Sequence, residues 1–144
     1  MSKFYYMNNI QIYNEMIEKQ LPNIIINKLS INDINRISNK VNDSIFNNNC
    51  VIYNGICYKN NNNYYIPFYY NYKKISLTRL LYVNYIQPLN NNINIKYTCC
   101  NKGKCCCLNH MKLSKQNNSN NINTNTNINV NTNTIINNRI IVTF

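Results

Sequence analysis

Five cysteines crowd into one short stretch, Cys99, Cys100, Cys105, Cys106 and Cys107, and the single histidine of the chain, His110, follows closely. Cys50 and Cys57 stand far upstream and bring the total to 7. Thiolate sulfur and imidazole nitrogen are the ligands that Zn2+ gathers into a tetrahedron. An odd cysteine count without a secretory leader argues against a disulfide framework. The spacing Cys100-x4-Cys105-x4-His110 offers three ligands from one loop, with Gly103 easing the turn and Asn101 suited to it. The fourth ligand must come from a distance, and Cys50 and Cys57 are the candidates. Cys99, Cys106 and Cys107 are close enough to compete for the loop positions. Lys102 and Lys104 beside these thiols favour the deprotonated, ligating form.

The charge distribution narrows the partners. The net charge is +11, from 15 Lys and Arg against 4 acids. All the acids (Glu15, Glu18, Asp33 and Asp43) precede Cys50, and the chain from Cys50 to Phe144 carries no carboxylate. Such a field attracts polyanions, nucleic acid foremost. It excludes a carboxylate pair for glycoside hydrolysis and an acidic cage for two metal ions outside the N-terminal third. With 2 glycines, Gly55 and Gly103, standing alone, no glycine-rich phosphate loop exists. The longest apolar runs, Ile24–Ile26 and Ile140–Val142, are too short to span a bilayer. The start, Met1-Ser2-Lys3-Phe4, lacks a charged-then-apolar leader. A soluble intracellular protein, neither membrane-bound nor secreted, is the expectation.

Elements must position these residues. An amphipathic helix is expected over residues 1–20, with Ile10, Tyr13, Met16 and Ile17 on one face, ended by Leu21-Pro22. Ser30 with Asp33 reads as a capping pair for a second helix carrying Ile31, Ile34, Ile37 and Val41, and running on to Asn47–Asn49. Cys50–Tyr58 reads as a strand. A loop at Asn60–Asn63 leads into the β-rich Tyr64–Tyr70, where Pro67 disfavours a central position. Lys73-Lys74 marks a turn, Ser76–Tyr85 fits strand or short helix, and Ile93 and Ile95 alternate as a short strand does. The Asn/Thr/Ile stretch from Asn117 to Asn138 has nothing to pack, because low complexity of this kind cannot form a core. The fold class is α+β. An N-terminal helical segment covers 1–45, a zinc-containing core 46–118, and a low-complexity tail 119–144.

The stretch Thr98-Cys-Cys-Asn-Lys-Gly-Lys-Cys-Cys-Cys-Leu-Asn-His110-Met resembles the zinc-binding loop of homing endonucleases of the His-Me finger (HNH, His-Cys box) superfamily. That loop reads roughly H-x-C-x4-C-x4-H-L. Thr78-Arg79-Leu80-Leu81-Tyr82 resembles an H-R-x-x-Y segment of phage-type HNH proteins, Cys50–Gly55 their C-W-x-W-T-G, and Arg36–Val41 their R-F-W-x-K-V. The resemblance spans about residues 36–118. It implies a ββα-metal core with structural Zn2+ on Cys50, Cys100, Cys105 and His110, and basic Tyr-rich strands against DNA. Lys73, Lys74, Arg79, Lys102 and Lys104 are then the phosphate contacts. A homodimer on a palindromic site, and a location in the nucleus or at viral or mobile-element DNA, also follow from it.

The resemblance further implies a general-base histidine two residues before the second zinc cysteine and a following Asn that holds a hydrolytic Mg2+. Thr98 occupies the first position and has no usable proton affinity near neutrality. Asn117, Asn118 or Asn120 could fill the second, Asn118 best. The expectation is therefore a zinc-containing DNA-binding protein with degenerate or weak DNA cleavage. An active metal-dependent endonuclease, or a zinc-stabilised protein or RNA interaction module, are the alternatives.

Overall fold

Asn8 opens the first helix with a reciprocal cap: its Oδ1 accepts from Gln11 N at 2.9 Å, and Gln11 Oε1 accepts from Asn8 N at 3.0 Å. The computed structural model describes residues 7–115, and within it this helix, α1, spans Asn9–Lys19. It buries Ile12 and Met16, one turn apart, while Ile10 and Ile17 stay exposed. The buried stripe is thus rotated from the expected one, because apolar residues at 10, 12, 13, 16 and 17 allow two overlapping faces. Each buried side chain of this size contributes roughly 1.5–3 kcal/mol. The second helix, α2 (Ile31–Ser38), carries the expected Ser30–Asp33 capping box and buries Ile34 and Ile37. It stops at Asn39 rather than running to Asn49, and Val41 instead bridges to Tyr53.

The strand expected over Cys50–Tyr58 does not form; only its last residue, Tyr58, enters one. Residues 50–53 make only single bridges, Val41 with Tyr53 and Ile52 with Cys105. Three separate two-stranded antiparallel hairpins follow instead. The first joins β1 (Tyr58–Asn60) to β2 (Asn63–Tyr65), the second β3 (Pro67–Tyr70) to β4 (Lys73–Ser76), and the third β5 (Ile93–Tyr97) to β6 (Met111–Lys115). Asparagine supplies the left-handed turns that glycine usually makes: Asn61 has φ +55° and Asn71 φ +47°. The second turn sits at Asn71-Tyr72, two residues before Lys73-Lys74, which lie within β4. Pro67 opens β3, where a missing N–H is tolerated.

Ser76–Tyr85 resolves as helix. α3 (Leu77–Tyr85) is almost wholly buried and forms the spine of the core. Its Asn84, fully buried, satisfies every polar valence. Oδ1 accepts from Leu29 N and Gln20 Nε2, both at 2.9 Å, and Nδ2 donates to Asn27 O at 2.9 Å and Leu80 O at 2.8 Å. One hydrophobic cluster runs from Ile12 through Leu81 to Met111, shared by the N-terminal helices and the cysteine segment. The fold is a small mixed α+β one. Among the described residues no helix is long and apolar enough to cross a membrane. The low-complexity tail expected over 119–144 lies outside the described residues, as do Asn117, Asn118 and Asn120.

Candidate metal centre and the cleft beside it

Backbone lacing brings Cys50 to the cysteine-rich segment. Val51 O accepts from Cys106 N at 2.7 Å, Tyr53 N donates to Lys104 O at 3.4 Å, and Leu108 N donates to Ile45 O at 2.9 Å. Asn109 Nδ2 adds bonds to Phe46 O at 3.2 Å, Asn47 O at 3.1 Å and Asn48 Oδ1 at 3.0 Å. Residues 45–53 therefore lie as a splint along residues 104–109, with Cys50 near its middle.

From the opposite side β5 delivers Cys99. Thr98 N donates to His110 O at 2.9 Å, one step beyond the last β5–β6 pair, Tyr97 with Met111. The strand has ended and residues 98–100 bend, yet exposure still alternates from one residue to the next. Tyr97 and Cys99 are half-buried, whereas Thr98 and Cys100 are exposed. The chain then turns through Asn101, whose carbonyl accepts from Lys104 N at 2.9 Å and Cys105 N at 3.1 Å. Gly103 at φ +79° makes this turn, and a Cβ there would collide with the Tyr64 carbonyl of the first hairpin. A short 3-10 turn, Leu108–His110, finally presents the imidazole.

Four ligand atoms converge. His110 Nδ1 lies 3.7 Å from Cys50 Sγ and 3.5 Å from Cys105 Sγ. With Cys99, all four atoms lie within 4.8 Å of one another. A tetrahedral zinc with bonds of about 2.3 Å to sulfur and 2.05 Å to nitrogen separates neighbouring S and N by about 3.6 Å. The observed sulfur–nitrogen separations match that edge, so these residues fit a structural metal site such as one for Zn2+. The ligand set expected from the motif needs one correction. Cys99 takes the place assigned to Cys100, which is exposed in the bend beyond β5. Cys57, Cys106 and Cys107 stay out of the cluster. Cys106 is fully buried and its thiol is pushed up by that burial, while the Cys107 thiol donates to Asn47 O at 2.9 Å.

The thiols themselves want a cation. The Cys50 thiol is held below the usual value, chiefly by a hydrogen bond from the Asn101 side chain and further by Cys99 and Cys105. Cys99 is pushed up to about 12, mainly by burial, and Cys105 is raised for the same reason. A dication inverts that local preference and stabilises all three as ligands.

Beside the knuckle opens a cleft of about 620 Å³, bounded by Arg79, Lys96 and Lys102 and by the hydroxyls of Ser76, Thr78 and Tyr97. Thr78 Oγ1 lies 2.6 Å from Tyr97 Oη and 3.0 Å from Ser76 Oγ, a short hydroxyl chain in its wall. No acid lines it. Of the expected phosphate contacts, Lys102 is in this cleft, Lys73 and Lys74 are exposed on β4, and the Lys104 ammonium caps the Tyr64 ring 4.2 Å from its centroid. Arg79 is largely committed elsewhere: Nη1 donates to Ile93 O at 2.8 Å and Nη2 to Asn90 O at 2.6 Å, clasping α3 to the loop before β5. Arg36 is likewise structural, donating to Tyr69 O at 2.9 Å and stacking on Phe68. Sequence reasoning missed Lys96. It is the cross-strand neighbour of Lys112, and both are exposed. Like charges directly opposed in a hairpin cost stability, a cost that a bound anion removes. Among the described residues both ion pairs, Lys19–Glu15 and Arg36–Asp33, lie in the N-terminal helices, so nothing acidic neutralises this surface.

The chain is 43% identical over 118 residues to an uncharacterized protein of Acanthamoeba polyphaga mimivirus. That alignment takes in 78% of this chain and 34% of the relative, so the chain spans about a third of the relative's length. No known family profile matches the chain. No solved structure is detectably similar to it.

Proposed function

We propose that this chain is a zinc-stapled DNA-binding protein related to HNH/His-Me finger homing endonucleases, in which DNA cleavage is degenerate. The observation that carries the reading is the convergence of Cys50, Cys99, Cys105 and His110 on a knuckle held between β5 and β6. On this reading, the hairpin interrupted by the knuckle would be the ββ part of a ββα-metal arrangement. Beside it lies a cation-lined, acid-free cleft of about 620 Å³, whose lining suits phosphodiester backbone. Zn2+ on these ligands would act as a structural staple, filling its coordination shell with protein and leaving no open position for water. Kinship to a protein of a giant virus is consistent with work at viral or mobile-element DNA.

Degeneracy follows from which groups face the cleft. The shift of the ligand from Cys100 to Cys99 moves the general-base position from Thr98 to Tyr97. Neither can serve. Thr98 is a poor base, and burial raises the Tyr97 phenol, which stays protonated near neutrality. Loss of a general base costs about 10²–10⁴ in rate. Asn118, outside the described residues, would be left to hold a Mg2+, which would supply the Lewis acid for residual cleavage.

The test combines elemental analysis, duplex binding and plasmid nicking. Expected are one zinc per chain, duplex affinity that falls steeply with added salt, and no efficient nicking of supercoiled plasmid with Mg2+. Salt-independent binding, or a protein purified without metal, would refute the reading. Efficient nicking abolished by Asn118→Ala would leave the DNA assignment standing and overturn the degeneracy.

A further inference from the structure

The first two hairpins carry a surface that neither the metal centre nor the cleft uses. Tyr58 and Tyr65 are directly opposed in the first hairpin, so both rings leave by the same face. Their exposures are 53% and 37%. In the second hairpin Tyr69, 61% exposed, is directly opposed to Lys74. The Lys74 ammonium lies 6.0 Å from the Tyr58 ring centroid and 6.0 Å from that of Tyr69. One cation therefore sits between rings from two hairpins, and the hairpins present them as one surface. Tyr72 at the tip of the second hairpin is 98% exposed, with Lys73 beside it.

Open tyrosine faces around ammonium groups suit one kind of partner. Stacked bases inside a duplex cannot lay their faces on protein rings, but unpaired bases can, and their phosphates meet the lysines. An acyl surface is a poor fit, because no Leu, Phe or Met joins the rings on these strands' exposed positions. An acidic protein patch would use the lysines and leave the rings idle. We propose that the face formed by Tyr58, Tyr65, Tyr69 and Lys74 binds single-stranded DNA by base stacking. This rests on the DNA reading above and deepens it: the phosphate cleft holds backbone, and the tyrosine face holds a strand that has left the duplex. The first hairpin is fixed to the metal knuckle by Tyr64 N donating to Lys102 O at 3.0 Å. The tyrosine face and the cleft are therefore joined through the knuckle.

The experiment measures fluorescence anisotropy of labelled oligothymidylate, with a labelled duplex in parallel. The proteins are the full chain and its Tyr58→Ala, Tyr69→Ala, Tyr58→Phe and Tyr69→Phe variants, each shown to keep its zinc content and near-UV circular dichroism. Each alanine should weaken oligothymidylate binding about fivefold to 100-fold, while phenylalanine, which keeps the stacking surface, stays within about twofold. Duplex affinity should change less than about twofold in all four. Alanine variants that bind oligothymidylate like the parent overturn the proposal. So do phenylalanine variants as weak as alanine, which would point to the hydroxyls. Tighter binding of oligouridylate than of oligothymidylate overturns the assignment to DNA. Parent protein that binds duplex but not oligothymidylate sinks this inference alone. Binding of neither sinks the DNA reading itself.

Discussion

Cys99→Ser and Cys100→Ser give opposite outcomes if alternation along the strand end, rather than motif spacing, selects the ligand. Cys99 Sγ belongs to a set of four atoms within 4.8 Å, and Cys100 is exposed beyond it. Structural zinc sites bind with about 10–16 kcal/mol at neutral pH, so one ligand of four carries about 3–4 kcal/mol. A serine hydroxyl is a poor substitute for a thiolate. Cys99→Ser should therefore weaken Zn2+ about 10²–10³-fold, and Cys100→Ser less than about twofold. Competition with a chromogenic chelator reads the affinities. Replacing zinc by Co2+ reads the ligands, because thiolate charge-transfer absorption should fall by about one third in Cys99→Ser and stay unchanged in Cys100→Ser. The reverse ranking would refute both the ligand set and the alternation argument behind it.

Four further outcomes are expected. Gly103→Ala combines a left-handed φ with a collision against the Tyr64 carbonyl, so it should cost about 2–4 kcal/mol and lower Tm by roughly 10–20 °C; a shift within about 2 °C would count against the packing described. Asn84→Leu orphans the Leu29 amide and the Asn27 carbonyl and should cost about 3–5 kcal/mol, read by urea unfolding. Burial raises the Tyr85 phenol above its ordinary value, so the folded state holds that proton more tightly than the unfolded state. Stability should be level below about pH 10 and decline above it, and Tyr85→Phe should flatten the decline in a series of melting curves. Chelation of the metal should strip hydrogen-exchange protection from the knuckle and the first hairpin while α3 keeps its own; uniform loss would contradict a local staple.

What the sequence revealed depended on whether the signal was local. The Ser30–Asp33 box, the helical spacing of Ile34 and Ile37, and the Cys/His cluster are each written within a few residues, and each appears in the structure. Cys50 as the remote ligand came from the family resemblance, since nothing within residues 45–53 announces the lacing to 104–109. The choice between Cys99 and Cys100 depends on the phase of β5, set by Tyr97 pairing with Met111 across the hairpin, and spacing within the loop does not encode that phase. β6 went unread although Met111 and Leu113 alternate with Lys112 and Ser114, because its partner lies on the far side of the knuckle. The turn lies at Asn71-Tyr72, two residues before the lysines that mark it in sequence, because asparagine rather than lysine takes the positive φ. Arg79 looked like a phosphate ligand because side-chain charge is visible in sequence and the carbonyls of Asn90 and Ile93 that occupy it are not.

Each sheet has two strands, and an isolated two-stranded hairpin is marginal in water. Every hairpin here therefore borrows stability from something outside it. The second lays Phe68 into the core under Arg36 and runs directly into α3. The third is tied to α3 through the Tyr97–Thr78 hydroxyl pair. The first has its exposed strands tied to the knuckle by the Tyr64–Lys102 bond, the Gly103 approach and the Lys104 ammonium over the Tyr64 ring. The knuckle in turn is anchored by the splint at Cys50 and by the ends of the third hairpin. Metal ligation thus closes a mechanical circuit through three parts of the chain that are distant in sequence. The residues that would hold the metal and those that would meet nucleic acid lie on the same circuit, so the staple would fix the geometry of the binding surface without touching the ligand.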